Sequence, residues 1–187
     1  MHTVMALSLD LDDTLWPIWP TIERAELCLH EFLLLHAPKT AERFPIPGMR
    51  HLREHVAQEH PELAHDFTAQ RRISLSHAFR LTGESQDLVD PAFEAFFAAR
   101  NDVTLYQDCL PALEHLAAKL PIIALTNGNA DLQLTGVARF FTECISAKCI
   151  GSAKPETPMF EAASRALGIA PENILHVGDD PWLDVQG

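Results

Sequence analysis

The stretch from Val4 to Leu15 reads VMALSLDLDDTL, and its reading decides the fold. An apolar run (Val4, Met5, Ala6, Leu7, then Leu9) stops abruptly at three carboxylates, Asp10, Asp12 and Asp13, followed by Thr14. A short apolar run bounded by polar residues predicts a strand buried on both faces of a parallel sheet. Ligands in open α/β sheets bind at the carboxyl ends of such strands. Three acids crowded there repel one another, which calls for a compensating cation. Asp10 and Asp12, two apart on an extended chain, point to the same side, so their oxygens can converge on one hard divalent metal. The bland alternative is a polar strand end followed by a turn.

Working outward, a calcium loop is excluded. An EF-hand also opens D-x-D but needs Gly at its sixth position and Glu at its twelfth; here those positions hold Leu15 and Thr21. The length, 187 residues, supports one domain or one domain with an insertion, and a hydrophobic fraction of 47% fits a globular core. The formal net charge of −12 leaves no basic stripe for nucleic acid, while a bound cation would still admit a small phosphorylated ligand. Cys28, Cys109, Cys144 and Cys149 form no C-x-x-C pair and are expected to be reduced thiols. No charged-then-apolar leader opens the chain, and no apolar run approaches membrane-spanning length. A soluble, cytoplasmic protein is expected, with no membrane or nucleic-acid partner, as a monomer or homodimer.

After the first strand, the prolines of Trp16-Pro17-Ile18-Trp19-Pro20 predict a stiff hinge. From Thr21, apolar residues Ile22, Ala25, Leu29, Phe32 and Leu33 recur at helical spacing. Further helices are expected near 49–60, 62–81 and 86–100, so residues 16–106 read as an all-helical insertion. Strand–helix alternation then resumes. Asp108 is expected to cap a helix to about Lys119. Pro121–Leu125 is a second buried strand, followed by a helix and a short strand near Ile145. Another helix spans Glu156 to Leu167, ended by Gly168, and Ile174–Val177 is a further strand. The expected fold is α/β: a doubly wound, Rossmann-like parallel sheet from residues 1–15 and 107–187, with an α-helical cap domain inserted at 16–106. The pattern stops a few residues into the next helix, so a C-terminal strand–helix unit is expected to be missing.

Three strands end in chemically complementary groups. Asp10 and Asp12, Thr126 and Asp179 lie at carboxyl ends, and Lys154 follows a core element. In one sheet these ends share an edge, so the side chains can converge. A nucleophilic carboxylate, a second carboxylate, a hydroxyl, an ammonium and a metal-binding acid suit phosphoryl transfer, which depends on positioning and on neutralising charge.

The motifs D-x-D-x-T-L after a strand, strand-then-Thr-Asn, a lone Lys before Pro, and strand-then-G-D-D-x-x-x-D resemble the haloacid dehalogenase-like hydrolases. A helical insert after the first motif resembles the type with a helical cap closing over the active site. The resemblance implies that Asp10 attacks phosphorus to form an aspartyl phosphate, and that Asp12 protonates the leaving oxygen and then activates water. Thr126 would bind a phosphate oxygen, and Lys154 would offset the charge of Asp10. Asp179 would bind Mg2+ with Asp10 and the backbone carbonyl of Asp12, supported by Asp180 or Asp184. The dehalogenases naming the superfamily attack carbon and lack the second Asp, so Asp12 favours a phosphatase.

The segments LDLDDTLW, His65-Asp66-Phe67-Thr68 to Arg71, ALTNGNA and ILHVGDD resemble a branch acting on the ribitylaminouracil phosphate of riboflavin synthesis and on FMN. A small phosphorylated metabolite is therefore the expected partner. Trp16, Trp19 and the loop Asn127-Gly128-Asn129 are the expected substrate-binding residues, an aromatic face stacking on a heterocycle. Each feature also has a structural reading. Thr126 alone suits a turn cap, Lys154 a solvated surface lysine, Asp180 and Asp184 acids at a helix N-terminus, Asp13 a structural carboxylate, and both tryptophans hinge packing. His51-Leu52-Arg53-Glu54-His55 matches a zinc signature, H-x-x-E-H, but ten histidines make a chance pair unsurprising and no third ligand is evident. The rival readings are a non-catalytic binding protein and a 2-haloacid dehalogenase.

Overall fold

The structure is a computed structural model and describes residues 3–186. The chain divides into two compact units: residues up to Ile18 together with those from Val103 onward, and Trp19–Asp102. In chain order, β1 (Ala6–Leu9) is followed by five helices: α1 (Ile18–His36), α2 (Pro38–Arg43), α3 (Ile46–Glu59), α4 (Phe67–Thr82) and α5 (Val89–Asn101). Then come α6 (Cys109–Ala117), β2 (Ile122–Thr126), β3 (Glu143–Ser146), α7 (Ala147–Ile150), α8 (Thr157–Leu167) and β4 (Ile174–Val177). A single wide helical turn, Pro181–Val185, follows β4.

The four strands form one parallel sheet in the order β3-β2-β1-β4. β1 and β2 are buried throughout, as their unbroken apolar runs require when both sheet faces are covered. Along β2, Ile122 and Ala124 join Leu7 and Leu9 in a cluster that includes Cys109 and Leu113 of α6. The alternate residues Ile123 and Leu125 pack with Met159, Ala162 and Ala163 of α8 on the opposite face. That is the doubly wound arrangement the strand–helix alternation predicts. α8 ends at Gly168, whose φ of 64° is the left-handed closure that glycine supplies at least cost.

The helical unit packs α1, α4 and α5 around Leu29, Leu33, Leu75, Phe79, Phe93 and Phe96. Asp66 accepts the Ala69 amide at 2.9 Å and so caps α4. Two expectations are corrected. The stretch 16–20 is not wholly a hinge: α1 already begins at Ile18, and Pro20 sits in its first turn, where no intrahelical N–H is needed. Asp13 accepts the Ile18 amide at 2.8 Å, one of the donors the start of α1 leaves open. The helix expected after Asn129 is absent. Residues 132–136 are turns and Ala138–Phe140 a 3₁₀ turn, with Asp131 Oδ1 accepting the amides of Gln133 and Leu134 instead.

Candidate active site

The register of the sheet builds the site. Leu9 of β1 pairs with Val177 of β4, and the Asp10 amide donates to the Val177 carbonyl at 2.9 Å. Asp10 therefore emerges level with Gly178, at the point where the next residues of β4's strand turn into Asp179 and Asp180. β2 lies on the other side of β1 and ends at Thr126.

At the centre is Lys154, only 3% exposed, whose Nζ donates to Asp10 Oδ1 at 2.7 Å and to Asp184 Oδ1 at 2.6 Å. The solvated-lysine reading is thereby excluded, because a buried ammonium needs paired carboxylates. Asn127 fixes this lysine. Its Oδ1 accepts the Lys154 amide at 2.7 Å and its Nδ2 donates to the Lys154 carbonyl at 3.0 Å. Each end of the Asn127 amide thus makes a hydrogen bond to the Lys154 backbone.

One ammonium shared by two buried carboxylates serves them unequally. Burial pushes the Asp10 carboxyl up to about 6, against the opposing pull of Lys154. Burial also raises Asp184, but bonds from Lys154, His176 and the Asp180 amide outweigh it and hold its carboxyl below the usual range. Asp179 is exposed, and its carboxyl is raised by desolvation and by the neighbouring carboxylates of Asp13, Asp184 and Asp180.

Asp10, Asp179 and Asp184 each offer a carboxylate oxygen, and these oxygens lie within 4.8 Å of one another. Among the described residues, this is the group of His, Cys, Asp and Glu side chains placed to share an ion. An all-oxygen, multiply anionic donor set suits a hard cation such as Mg2+. Asp180 is the other acid expected to support the ion. Its Oδ1 accepts the amides of Trp182 and Leu183 at 2.7 and 3.0 Å, so it caps the following turn. Of the two acids, Asp184 is the one whose oxygen groups with those of Asp10 and Asp179. The carboxylate of Asp12 stands outside the ion-sharing group and accepts the Trp16 indole N–H at 2.8 Å.

Trp16 is one of the two tryptophans expected to line the pocket. It is fully buried among the apolar residues of the sheet unit, with its N–H spent on Asp12. Trp19, in the helical unit, is 56% exposed, with the Arg50 guanidinium 5.1 Å from its ring centre. Thr126 is buried, and its Oγ1 accepts the Gly128 amide at 2.9 Å, the turn-capping bond; the hydroxyl proton stays available to a ligand oxygen. Asn129 is half-buried in the same loop. In the helical unit, the Arg71 guanidinium is buried against the Phe96 ring, 3.5 Å from its centre. His51 and His55 face Glu54 and Glu59 on the exposed side of α3 and join no ion-sharing group.

Sequence reasoning missed Ser8, His176 and Gly178. Ser8 Oγ lies 2.8 Å from His176 Nδ1, and His176 Nε2 lies 2.8 Å from Asp184 Oδ1. Burial lowers the His176 pKa, which favours the neutral ring. The available signal was a polar residue in each of two apolar strands, ALSL and ILHV. Gly178 lies under the Asp184 carboxylate: a Cβ there would sit 2.2 Å from Asp184 Cγ.

A doubly wound parallel sheet with acids and a buried lysine gathered at its strand tips defines a class of α/β hydrolytic enzymes with a carboxylate centre. The chain belongs to the haloacid dehalogenase-like hydrolases, the family it matches over residues 4–187. It is 34% identical over 188 residues to the 5-amino-6-(5-phospho-D-ribitylamino)uracil phosphatase YigB of Escherichia coli, covering 98% of this chain and 79% of that protein. A phosphoserine phosphatase of Thermus thermophilus is 36% identical over 100 residues, 50% of this chain and 40% of that protein. Among solved structures, a 2-haloacid dehalogenase from Pseudomonas syringae superposes with a TM-score of 0.91 at 34% identity, covering 98% of this chain and 81% of that one.

Proposed function

We propose that the protein is a Mg2+-dependent phosphatase that hydrolyses a small phosphomonoester through an aspartyl-phosphate intermediate. The observation that carries this is the buried pairing of Lys154 with Asp10 and Asp184, with Asp12 held separately by Trp16. In this reading Asp10 Oδ attacks phosphorus and the P–O bond to the leaving group breaks. Asp12 gives its proton to the departing oxygen, then takes one from the water that cleaves the aspartyl phosphate. Lys154 and the Thr126 hydroxyl bind the equatorial oxygens, where charge must be neutralised. Asp10, Asp179 and Asp184 would hold Mg2+. The cation supplies charge compensation to the nucleophile and the phosphoryl group.

The likeness to YigB supports 5-amino-6-(5-phosphoribitylamino)uracil as substrate, and the motif resemblance adds FMN, so the ester proposed is one of the flavin pathway. The helical unit would serve as the cap that selects it, and the cytoplasm as its compartment. A second reading, 2-haloacid dehalogenation, is raised by the Pseudomonas syringae structure. Asp12 weighs against it, since displacement of halide from carbon needs no acid to protonate the leaving group. Phosphate release from a panel of phosphomonoesters including FMN tests the proposal, with and without Mg2+, in wild type and Asp10→Asn. Phosphate release needing both Mg2+ and Asp10 is expected. Halide release from 2-haloacids without Mg2+, and no phosphate release, would transfer the protein to the second reading.

A further inference from the structure

Neither Ser8 nor His176 takes a part in the proposed reaction, yet both are polar residues on the two strands that lead to Asp10 and Asp179. They are register partners across β1 and β4, so their side chains share one face of the sheet. Ser8 is 2% exposed, and the His176 side chain 11%. Polar groups so buried are retained when each finds a partner. The partners form one chain: Ser8 Oγ to His176 Nδ1, His176 Nε2 to Asp184 Oδ1, Asp184 Oδ1 to Lys154 Nζ, and Lys154 Nζ to Asp10 Oδ1. Phe160 meets the imidazole edge-on, with ring centres 5.4 Å apart and planes at 88°.

We propose that His176, held by Ser8, is a positioning residue that sets the orientation of the Asp184 carboxylate and thereby pre-forms the cation site. This rests on the Mg2+ reading given above. An ionised carboxylate only accepts hydrogen bonds, so Nε2 carries the proton that reaches Asp184. In the neutral ring Nδ1 then accepts from the Ser8 hydroxyl, which fixes the tautomer and prevents the ring from turning over. Three donors consequently hold Asp184: Nε2 of His176 and Nζ of Lys154 on Oδ1, and the Asp180 amide on Oδ2 at 3.1 Å. Gly178 supplies the space that this orientation fills. Without the imidazole, Lys154 alone would hold Oδ1, and the carboxylate would divide its time between orientations, not all of which face Asp10 and Asp179.

The test is Mg2+ affinity by titration calorimetry on the full chain, with folding monitored by thermal melting. His176→Phe keeps an aromatic ring against Phe160 but donates nothing; it is expected to weaken Mg2+ binding by about 10- to 100-fold, the usual cost of losing a group that orients a metal ligand. His176→Gln, whose amide N–H reaches where Nε2 does, is expected to restore affinity towards wild type. Ser8→Ala should fall between. A folded Phe variant that binds Mg2+ like wild type, or a Gln variant no better than Phe, would overturn the proposal. Should the Phe variant not fold, Ser8→Ala and His176→Gln decide: wild-type affinity in Ser8→Ala, or an affinity lost in His176→Gln, overturns it. If wild type binds no Mg2+, the metal reading fails instead, and the positioning role is judged from the imidazole ¹⁵N spectrum. A neutral Nε2–H tautomer that is disturbed by Asp184→Asn supports it; a spectrum indifferent to that substitution overturns it.

Discussion

Gly178 shows how tightly single residues constrain this site. A methyl group there would overlap the Asp184 carboxylate, and three donors prevent that carboxylate from stepping aside freely. Gly178→Ala is therefore expected to fold with a loss of about 1–3 kcal/mol, the usual range for overpacking, and to lose most Mg2+-dependent turnover. Melting together with a Mg2+ titration of activity checks both. Asp10 makes a second prediction. Its carboxyl titrates near 6 against 3.8 when unperturbed, so the metal-free folded state binds that proton more tightly than the unfolded state. The group's stabilisation is present at low pH and lost as pH rises from about 4 through 6. Asp10→Asn removes this loss, so its stability relative to wild type should grow between pH 4.5 and 7.5 by about 3 kcal/mol at most. Urea unfolding of both proteins with chelator present at the two pH values measures it. A difference independent of pH would contradict the raised carboxyl.

Elements were legible to different degrees. β1, β2 and β4 follow from apolar runs, and α8 from its period and its terminal Gly168, because these signals are local. The segment after Asn129 misled: Asp131 draws two amides into a turn, competing with helix through a side chain that a periodicity count cannot weigh. The start of α1 misled for a related reason, since Pro20 falls where a helix needs no N–H. α4 is capped by Asp66, whose carboxylate accepts the Ala69 amide at 2.9 Å. Asp66→Ala is expected to cost about 1 kcal/mol, whereas Asp66→Ser or Asn should cost a few tenths. Chemical denaturation of the three variants would show the ranking; equal losses would mean that the cap is not what Asp66 contributes.

For the whole molecule, a cation held at the acidic centre would couple stability to its concentration. A ligand bound only by the folded state adds about 2.7 kcal/mol at a hundred times its Kd. Mg2+ is therefore expected to raise the melting temperature of wild type, EDTA to reverse this, and Asp179→Asn to abolish the response; a melting temperature indifferent to Mg2+ would remove the cation from the site. Among the described residues no helix is long and apolar enough to cross a membrane. Read alone, the sequence determined the strands, the helical insertion, and the placement of Asp10, Asp12, Thr126, Lys154 and Asp179 at the tips of core elements, because a switch from apolar run to polar residue is a local event. It also determined the family, since the motif order survives without coordinates. Only the tertiary structure decided that Asp184 rather than Asp180 joins Asp10, that Asn127 clamps Lys154, that Trp16 is buried against Asp12, and that Ser8 meets His176. The Ser8–His176 contact depends on strand register across 168 residues and Asn127–Lys154 on a loop closing over 27, while Trp16–Asp12 is local but turns on which way the chain bends after β1; none of these leaves a periodicity in the chain.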